Sequence, residues 1–492
     1  MSNSPGSDPV TKSEFLVARN CLTQGWYLRR ATREKLGPGL KWRFWAGQDV
    51  GRRARAWLGD GVLLPSSPRA VALAATAAAL ALQESDLLFE ATFESGGCIA
   101  RADAVRRVAG GWELIEVKSA KSKEEGIADD QIDDIAFTRC VAAASGLTIA
   151  KATLVLINRD YRLSQDAEMF VSIDVSEVSA VRAAEFATGL PVIVTGVTAE
   201  ERPEPEFKFA CRDCDFYDSE CVGQGIPDPL FAIPNLRQAR FDELKVYVSI
   251  GGLPPNVRLT DNQLQVVEVI RSRKPKQDAN GLAVLDKVAY PVRYLDFEAA
   301  LPHLPWFDQT PPYEAVPFQY SIHSRLAEDG EVQHTAYLAD HGGDWRRELA
   351  ERLLSDLGAS GSIVVYSSYE KTRLNALGVL FPDLAAQFRL TVARLFDLEH
   401  VFKDGYIHPA FNGKSSIKKV LPVVVPDLSY EGKPVNNGSD AMGLFSLMRV
   451  GEVTGDDALR QREDLLAYCA LDTLAMVRLH DAARKIKDGA VG

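Results

Sequence analysis

Three cysteines within eleven residues, Cys211, Cys214 and Cys221 in ACRDCDFYDSEC, join a fourth far upstream, Cys21 in ARNCLTQGWYLRR. No other feature constrains the fold as much. Soft thiolates at C-x2-C-x6-C spacing suit zinc or an iron–sulfur cluster, and each wants four ligands. A remote fourth ligand would pin the two ends of one domain together through the metal. Three unrelated free thiols so close together is the weaker explanation. Cys98, Cys140 and Cys469 stand in apolar or mixed segments and read as core residues.

With 492 residues the chain has room for about three domains. Residues 1–225 begin with basic helical pattern and an Ala-rich helix at Val71–Leu82, too short to span a bilayer. They continue as a strand meander turning at Gly96-Gly97 and Gly110-Gly111, a helix at about 130–144 and a buried strand at Ala152–Ile157. Residues 226–285 are punctuated by Pro and Gly and read as a helical connector, with helical pattern at 235–248 and 260–270 and a helix–turn–helix-like step at Gly251-Gly252. Residues 286–492 read as one α/β domain. It has a strand at 288–297, a hairpin over 318–338 turning at Asp329-Gly330 and a long last helix from Arg462 to Lys485. The stretch Met1–Val10 has no apolar run behind a basic one, so the expectation is a cytoplasmic protein with no membrane partner.

The net charge of −11 excludes a bulk polycation that binds nucleic acid by charge alone. The balance is uneven, however, since residues 1–70 hold twelve Lys and Arg against five Asp and Glu. A basic end, with Arg29, Arg30, Arg52, Arg53 and Arg55, could hold a phosphate backbone while acids elsewhere hold metal ions.

Two acidic constellations follow. In CIARADAVRRVAGGWELIEVKSAKS, Asp103 lies on one strand and Glu116 and Lys118 share one face of the next. Phosphodiester hydrolysis needs carboxylates for a divalent ion and a cation near the attacking water, and these three residues supply both. The bland alternative is a solvated hairpin face. In VRYLDFEAA, Asp296 and Glu298 share one strand face, with Leu295 and Phe297 on the other. Far downstream, Tyr468 and Asp472 stand one helical turn apart in LLAYCALDTLAMVRL, and IVVYSSYEKTRL ends a buried strand near Glu370. Acids at alternate positions of so apolar a strand point to a bound ion, because unpartnered they would be exposed instead. The loop GKSSIKKVLP offers Lys414, Lys418 and Lys419 to phosphate, or else is simply solvated.

The order N-terminal Cys, Asp…Glu-x-Lys, C-x2-C-x6-C resembles the RecB-type PD-(D/E)xK nucleases that carry a 4Fe-4S cluster, including those of CRISPR adaptation and helicase–nuclease repair subunits. The resemblance implies a restriction-endonuclease-like domain over about residues 12–221. In it Cys21, Cys211, Cys214 and Cys221 would hold the cluster, Asp103 and Glu116 a metal, and Lys118 would assist catalysis. The chain departs from that pattern in having no His near AGQDVGRRARAW, and Gln131 or Thr138 would take the place of a Gln on the following helix.

The order Asp-x-Glu, mid-domain acid, Tyr-x3-Asp is similar to the DEDDy 3′–5′ exonucleases of ribonuclease H-like fold. It implies Asp296, Glu298 and Asp472 as Mg²⁺ or Mn²⁺ ligands and Tyr468 as the water-orienting residue. Glu370 would be the third acid, with Asp397 in LFDLEHVF as the fallback. The tandem resembles a bacterial family of unknown function built from these two parts. The expected activity is a nuclease acting on DNA or RNA, in repair or phage defence. The alternative is a nucleic-acid-binding scaffold whose N-terminal site has decayed, stapled by zinc or an iron–sulfur cluster. Arg52, Arg53, Lys418 and Lys419 would contact the strand. No G-x4-G-K-[ST] loop is present, so unwinding would come from a helicase partner.

Overall fold

The computed structural model describes residues 8–31, 36–82 and 85–489. The first residues of the polar opening segment, 1–7, lie outside them. The protein is mixed α/β, with two main sheets of mixed strand orientation.

The first sheet has six strands in chain order: β1 (Val62–Leu63), β2 (Leu87–Ser95), β3 (Cys98–Val108), β4 (Gly111–Lys121), β5 (Ile149–Ile157) and β6 (Phe170–Asp174). The expected meander is the antiparallel run β2–β3–β4. Gly96 and Gly97 turn it with φ of 60° and 77°, a left-handed backbone that glycine adopts without a Cβ penalty. Strand β5 then joins β4 in parallel. Helices α1 (Lys12–Asn20), α2 (Leu22–Arg30), α3 (Pro38–Leu58), α4 (Arg69–Leu82), α5 (Asp129–Ala144) and α6 (Ser176–Thr198) belong to this half. Thr11 and Glu14 form a capping box that starts α1. One sheet face packs on α1, α5 and α6 through Phe15, Phe137 and Phe186. The other packs on α3 through Val50 and Ala54, and there Leu304 of the second half joins it.

Of the described helices one, α6, is long and apolar enough to cross a membrane by length and composition. The Ala-rich run, α4, is too short for that. In the fold α6 is a packed helix, with Ala183, Phe186, Leu190, Ile193 and Val197 buried.

The connector carries α7 (Gln238–Leu244) and α8 (Asp261–Ser272) around its own small core of Leu230, Phe241, Ile250 and Val267. The expected helix–turn–helix step is instead a single 3-10 turn, Ile250–Gly252, preceded by another at Lys245–Tyr247.

The second sheet comprises β7 (Val292–Ala300), β8 (Val316–Arg325), β9 (Gln333–Leu338), β10 (Ile363–Val365) and β11 (Leu395–Asp397). Their order is β9-β8-β7-β10-β11, antiparallel on the hairpin side and parallel on the other. β7 starts four residues later than expected, just after Pro291, which has no amide to donate to a ladder. Helices α9 (Arg346–Leu357), α10 (Tyr369–Leu380) and α11 (Ala385–Val392) follow the strands, then α12 (Ile417–Val424), α13 (Gly438–Arg449) and α14 (Gly455–Lys487). Leu295 and Phe297 face α9, α10 and α13. Val292 and Tyr294 face α14 through Met476 and Leu479. The strand therefore turns Asp296 and Glu298 toward α14.

The two halves are locked together. Helix α3 crosses α13 so closely that a Cβ on Gly443 would stand 2.4 Å from the Pro38 carbonyl oxygen. The Gly39 amide donates to Asp440 at 3.0 Å, Trp45 Nε1 to Glu452 at 2.9 Å, and buried Asp49 bonds His303 at 3.0 Å.

Candidate metal centres

Strand β7 and helix α14 bring Asp296, Glu298 and Asp472 together. One ligand oxygen from each lies within 4.8 Å of the others, and no other trio of His, Cys, Asp or Glu among the described residues is drawn so close. Glu298 and Asp472 are buried. Burial first, then Asp472, Glu298 and Glu370, pushes Asp296 well above the ordinary carboxylate range. Burial and Asp472 do the same to Glu298. Asp472 itself is pushed up by burial to about 6, with Tyr430, Lys418 and Tyr468 pulling the other way. Carboxylates crowded in this way cannot all ionise unless a cation joins them. Their donor set, all hard oxygens, fits a divalent ion such as Mg²⁺ or Mn²⁺.

Around the trio stand residues of three further elements. Tyr468 lies one turn before Asp472 on α14, buried beside it. Tyr430, from the loop between α12 and α13, donates its hydroxyl to Asp472 Oδ1 at 2.5 Å. Lys418 of α12 holds its ammonium 5.4 Å from the Tyr430 ring and 5.7 Å from the Tyr468 ring, and donates to Asn436 O at 2.6 Å. Cys469 Sγ donates to Asp296 Oδ2 at 3.3 Å, so this core cysteine also touches the acids. Glu370, in the first turn of α10, is buried and pushed to about 7 by burial, Asp397 and Asp472. Asp397 answers to burial and to Glu399, His400 and Lys403 on its own segment, whereas Glu370 bears on Asp296 and Glu298.

In the first half, Asp103 of β3 and Glu116 and Lys118 of β4 also meet. Lys118 Nζ donates to Glu116 Oε1 at 2.8 Å and pairs with Asp134 of α5. A second ammonium, Lys12 Nζ, reaches the same Oε1 at 2.6 Å. Glu116 Oε2 is buried with no hydrogen-bond partner. Burial would raise Glu116, but Lys12 and Lys118 outweigh it and hold its carboxyl below the usual range. Asp103 accepts from the Val117 amide at 2.7 Å and is pushed to about 7 by burial and by Glu116. Gln131 does not reach this group, since its side chain caps its own helix at Ala128. Thr138 bonds back to Asp134 O.

Cys21 sits at the junction of α1 and α2, and Cys211, Cys214 and Cys221 lie on the irregular segment that follows α6. Burial raises Cys211 and Cys214, and Cys21 and Cys221 raise both further, so the four thiols share one neighbourhood. All seven cysteines are free.

The basic residues divide. Arg29 and Arg30 were expected at phosphates, yet Arg29 pairs with Glu14 and Arg30 donates to the Val197 and Ala199 carbonyls at the end of α6. Those terminal carbonyls have no partner within their helix, which is what recruits the guanidinium. Arg52 and Arg53 both pair with Asp49 while their side chains stay largely exposed. Arg55 pairs with Glu90 at 3.3 Å. Lys418 and Lys419 are exposed.

Sequence reasoning missed Lys12, Asp134 and Tyr430. Residues 293–416 match a family described as a domain of unknown function, DUF2779. The match takes in Asp296, Glu298, Glu370 and Asp397 and stops before Tyr430, Tyr468 and Asp472. No curated protein matches the chain.

Proposed function

We propose that the protein is a metal-dependent nuclease whose C-terminal half, a ribonuclease H-like domain, trims single-stranded DNA or RNA from the 3′ end. The N-terminal half is a RecB-like lobe of PD-(D/E)xK type. The reading rests on the convergence of Asp296, Glu298 and Asp472, with Tyr468 one turn from Asp472. The order of the second sheet, with the Asp-x-Glu strand at its centre, favours the same fold.

Mg²⁺ or Mn²⁺ bound by Asp296, Glu298 and Asp472 would supply a water nucleophile at neutral pH and charge for the phosphorane. The chain's own part is positioning. Tyr430 holds one oxygen of Asp472, Oδ1. Tyr468, one helical turn before Asp472, would orient the attacking water. Lys418 lies close enough to lower Glu298 and Asp472 and to meet a phosphate. Glu370 takes the role of third acid.

In the N-terminal lobe, Cys21, Cys211, Cys214 and Cys221 would hold a 4Fe-4S cluster as a structural staple. Tetrahedral zinc on the same four thiolates is the alternative. Anaerobically purified protein should be brown, whereas zinc is colourless. The fitting setting is cytoplasmic DNA repair or phage defence, with unwinding left to a helicase partner.

The test is digestion of end-labelled single-stranded DNA and RNA with Mg²⁺ or Mn²⁺, comparing wild type, Asp296→Ala/Glu298→Ala and Lys118→Ala. Laddering from the 3′ end that vanishes only in the double variant supports the exonuclease. Loss only in Lys118→Ala moves the chemistry to the first half. No cleavage at all favours a second reading, a nucleic-acid-binding scaffold, for which the two lysines on Glu116 already speak in the N-terminal lobe.

A further inference from the structure

Asp103, Glu116 and Lys118 account for the Asp…Glu-x-Lys pattern, but Lys12 has no part in it. It comes from the first turn of α1 and reaches across 104 residues of sequence to Glu116 Oε1. Its position is locally unfavourable, because a cation at a helix N-terminus opposes the helix dipole. Glu116 supplies the compensation. With Lys12 and Lys118 both on Oε1, two ammonium groups serve one carboxylate oxygen while its other oxygen, Oε2, is buried without a partner.

A divalent ion bound to a carboxylate sits about 2.1 Å from oxygen. Entering at Oε2, it would stand beside two fixed positive charges in a largely buried site, where like charges repel far more strongly than in water. Lys118 is tied on its other side to Asp134, which offsets its charge. For Lys12 no acid other than Glu116 is paired among the described residues. Lys12 is therefore the cation whose charge most opposes an incoming ion.

We propose that Lys12 is the resident counter-ion of the Asp103–Glu116 pair and that divalent cations bind this pair weakly as long as it is in place. The inference rests on reading the pair as a divalent-ion site and is independent of the C-terminal exonuclease. It makes the first turn of α1 a determinant of whether the N-terminal centre carries metal.

The test is Mn²⁺ binding, followed by the electron paramagnetic resonance of the free ion and by calorimetry. The full chain would carry Asp296→Ala/Glu298→Ala/Asp472→Ala, so that the C-terminal trio does not contribute. Mn²⁺ prefers oxygen donors, which keeps the cysteine thiolates out of the titration. Lys12→Met retains the apolar stem and removes the charge, and it should tighten Mn²⁺ binding at least about tenfold. Lys12→Arg should leave binding weak, and adding Glu116→Gln to Lys12→Met should abolish the gain. Thermal melts of each variant verify folding. Mn²⁺ binding that is unchanged or weakened by Lys12→Met overturns the role of Lys12 while leaving the pair a metal site. Absence of binding with and without Lys12 overturns the reading of the pair itself.

Discussion

The Tyr430 hydroxyl donates to Asp472 Oδ1 at 2.5 Å across 42 residues of sequence. Asp472, which meets Asp296 and Glu298 in the acid trio, thus has one oxygen fixed by a loop. Tyr430→Phe should lower divalent-ion affinity, or the turnover of the proposed exonuclease, about 10- to 100-fold, the range for a residue that orients a ligand. Asp472→Asn should lose more. Mn²⁺ titration of the two variants, read beside turnover, checks both.

The acid trio should make the metal-free protein less stable than it could be. Asp296 and Glu298 have carboxyls raised in the fold, so the native state holds protons that the unfolded chain releases. The resulting destabilisation is absent at low pH and grows as pH rises past the unfolded carboxylate range near ~4. In a chelator at pH 8, Asp296→Asn should therefore be more stable than wild type by about 1–3 kcal/mol, the gap closing as pH falls. Saturating Mg²⁺ should reverse the order. Urea midpoints with and without the ion decide it.

His480 acts in the opposite sense. It is buried, shares a 2.7 Å hydrogen bond with Tyr294, and burial pushes it down to about 4. An unfolded histidine takes a proton near ~6.5, so below that pH the unfolded chain binds more protons and stability falls. Between pH 7.5 and pH 5 the loss should be about 2 kcal/mol from this residue. His480→Gln should flatten the wild-type slope by that amount. Comparing the variant with wild type at each pH separates this effect from the carboxylates, which titrate in an overlapping window.

At the crossing of α3 and α13, Gly443→Val should destabilise by about 1–3 kcal/mol, since the added atoms meet the Pro38 carbonyl. A lowered melting temperature together with increased protease sensitivity of residues in α3 is the expected result. An unchanged melt would mean that the crossing relaxes freely.

What could be read from sequence was local. Alternation around Gly96-Gly97 marks β2 and β3, and Asp296 with Glu298 on a strand and Tyr468 with Asp472 on a helix mark their faces, because strand and helix periods are intrinsic to the chain. What could not be read arrives from far away or from segments without a period. Lys12 meets Glu116 through the docking of α1 and not through any spacing. Tyr430 lies in a loop between Pro426 and Pro434, where nothing in the pattern points inward. Arg29 and Arg30 show the same limit from the other side. Charge alone suggested phosphate, but an uncapped helix end within the fold claimed Arg30 and Glu14 claimed Arg29.

Helix α3 is encoded in the first sixty residues, yet it rests on α13 near the other end of the chain. A fragment starting at the connector would leave the face of α13 around Gly443 bare to solvent, and one ending there would strand α3 without its seat. Genetic dissection of the two halves will therefore report on severed packing before it reports on chemistry. Point substitutions in the intact chain are the cleaner scalpel, and exchanging the halves between relatives should succeed only when α3 travels with the α13 it fits.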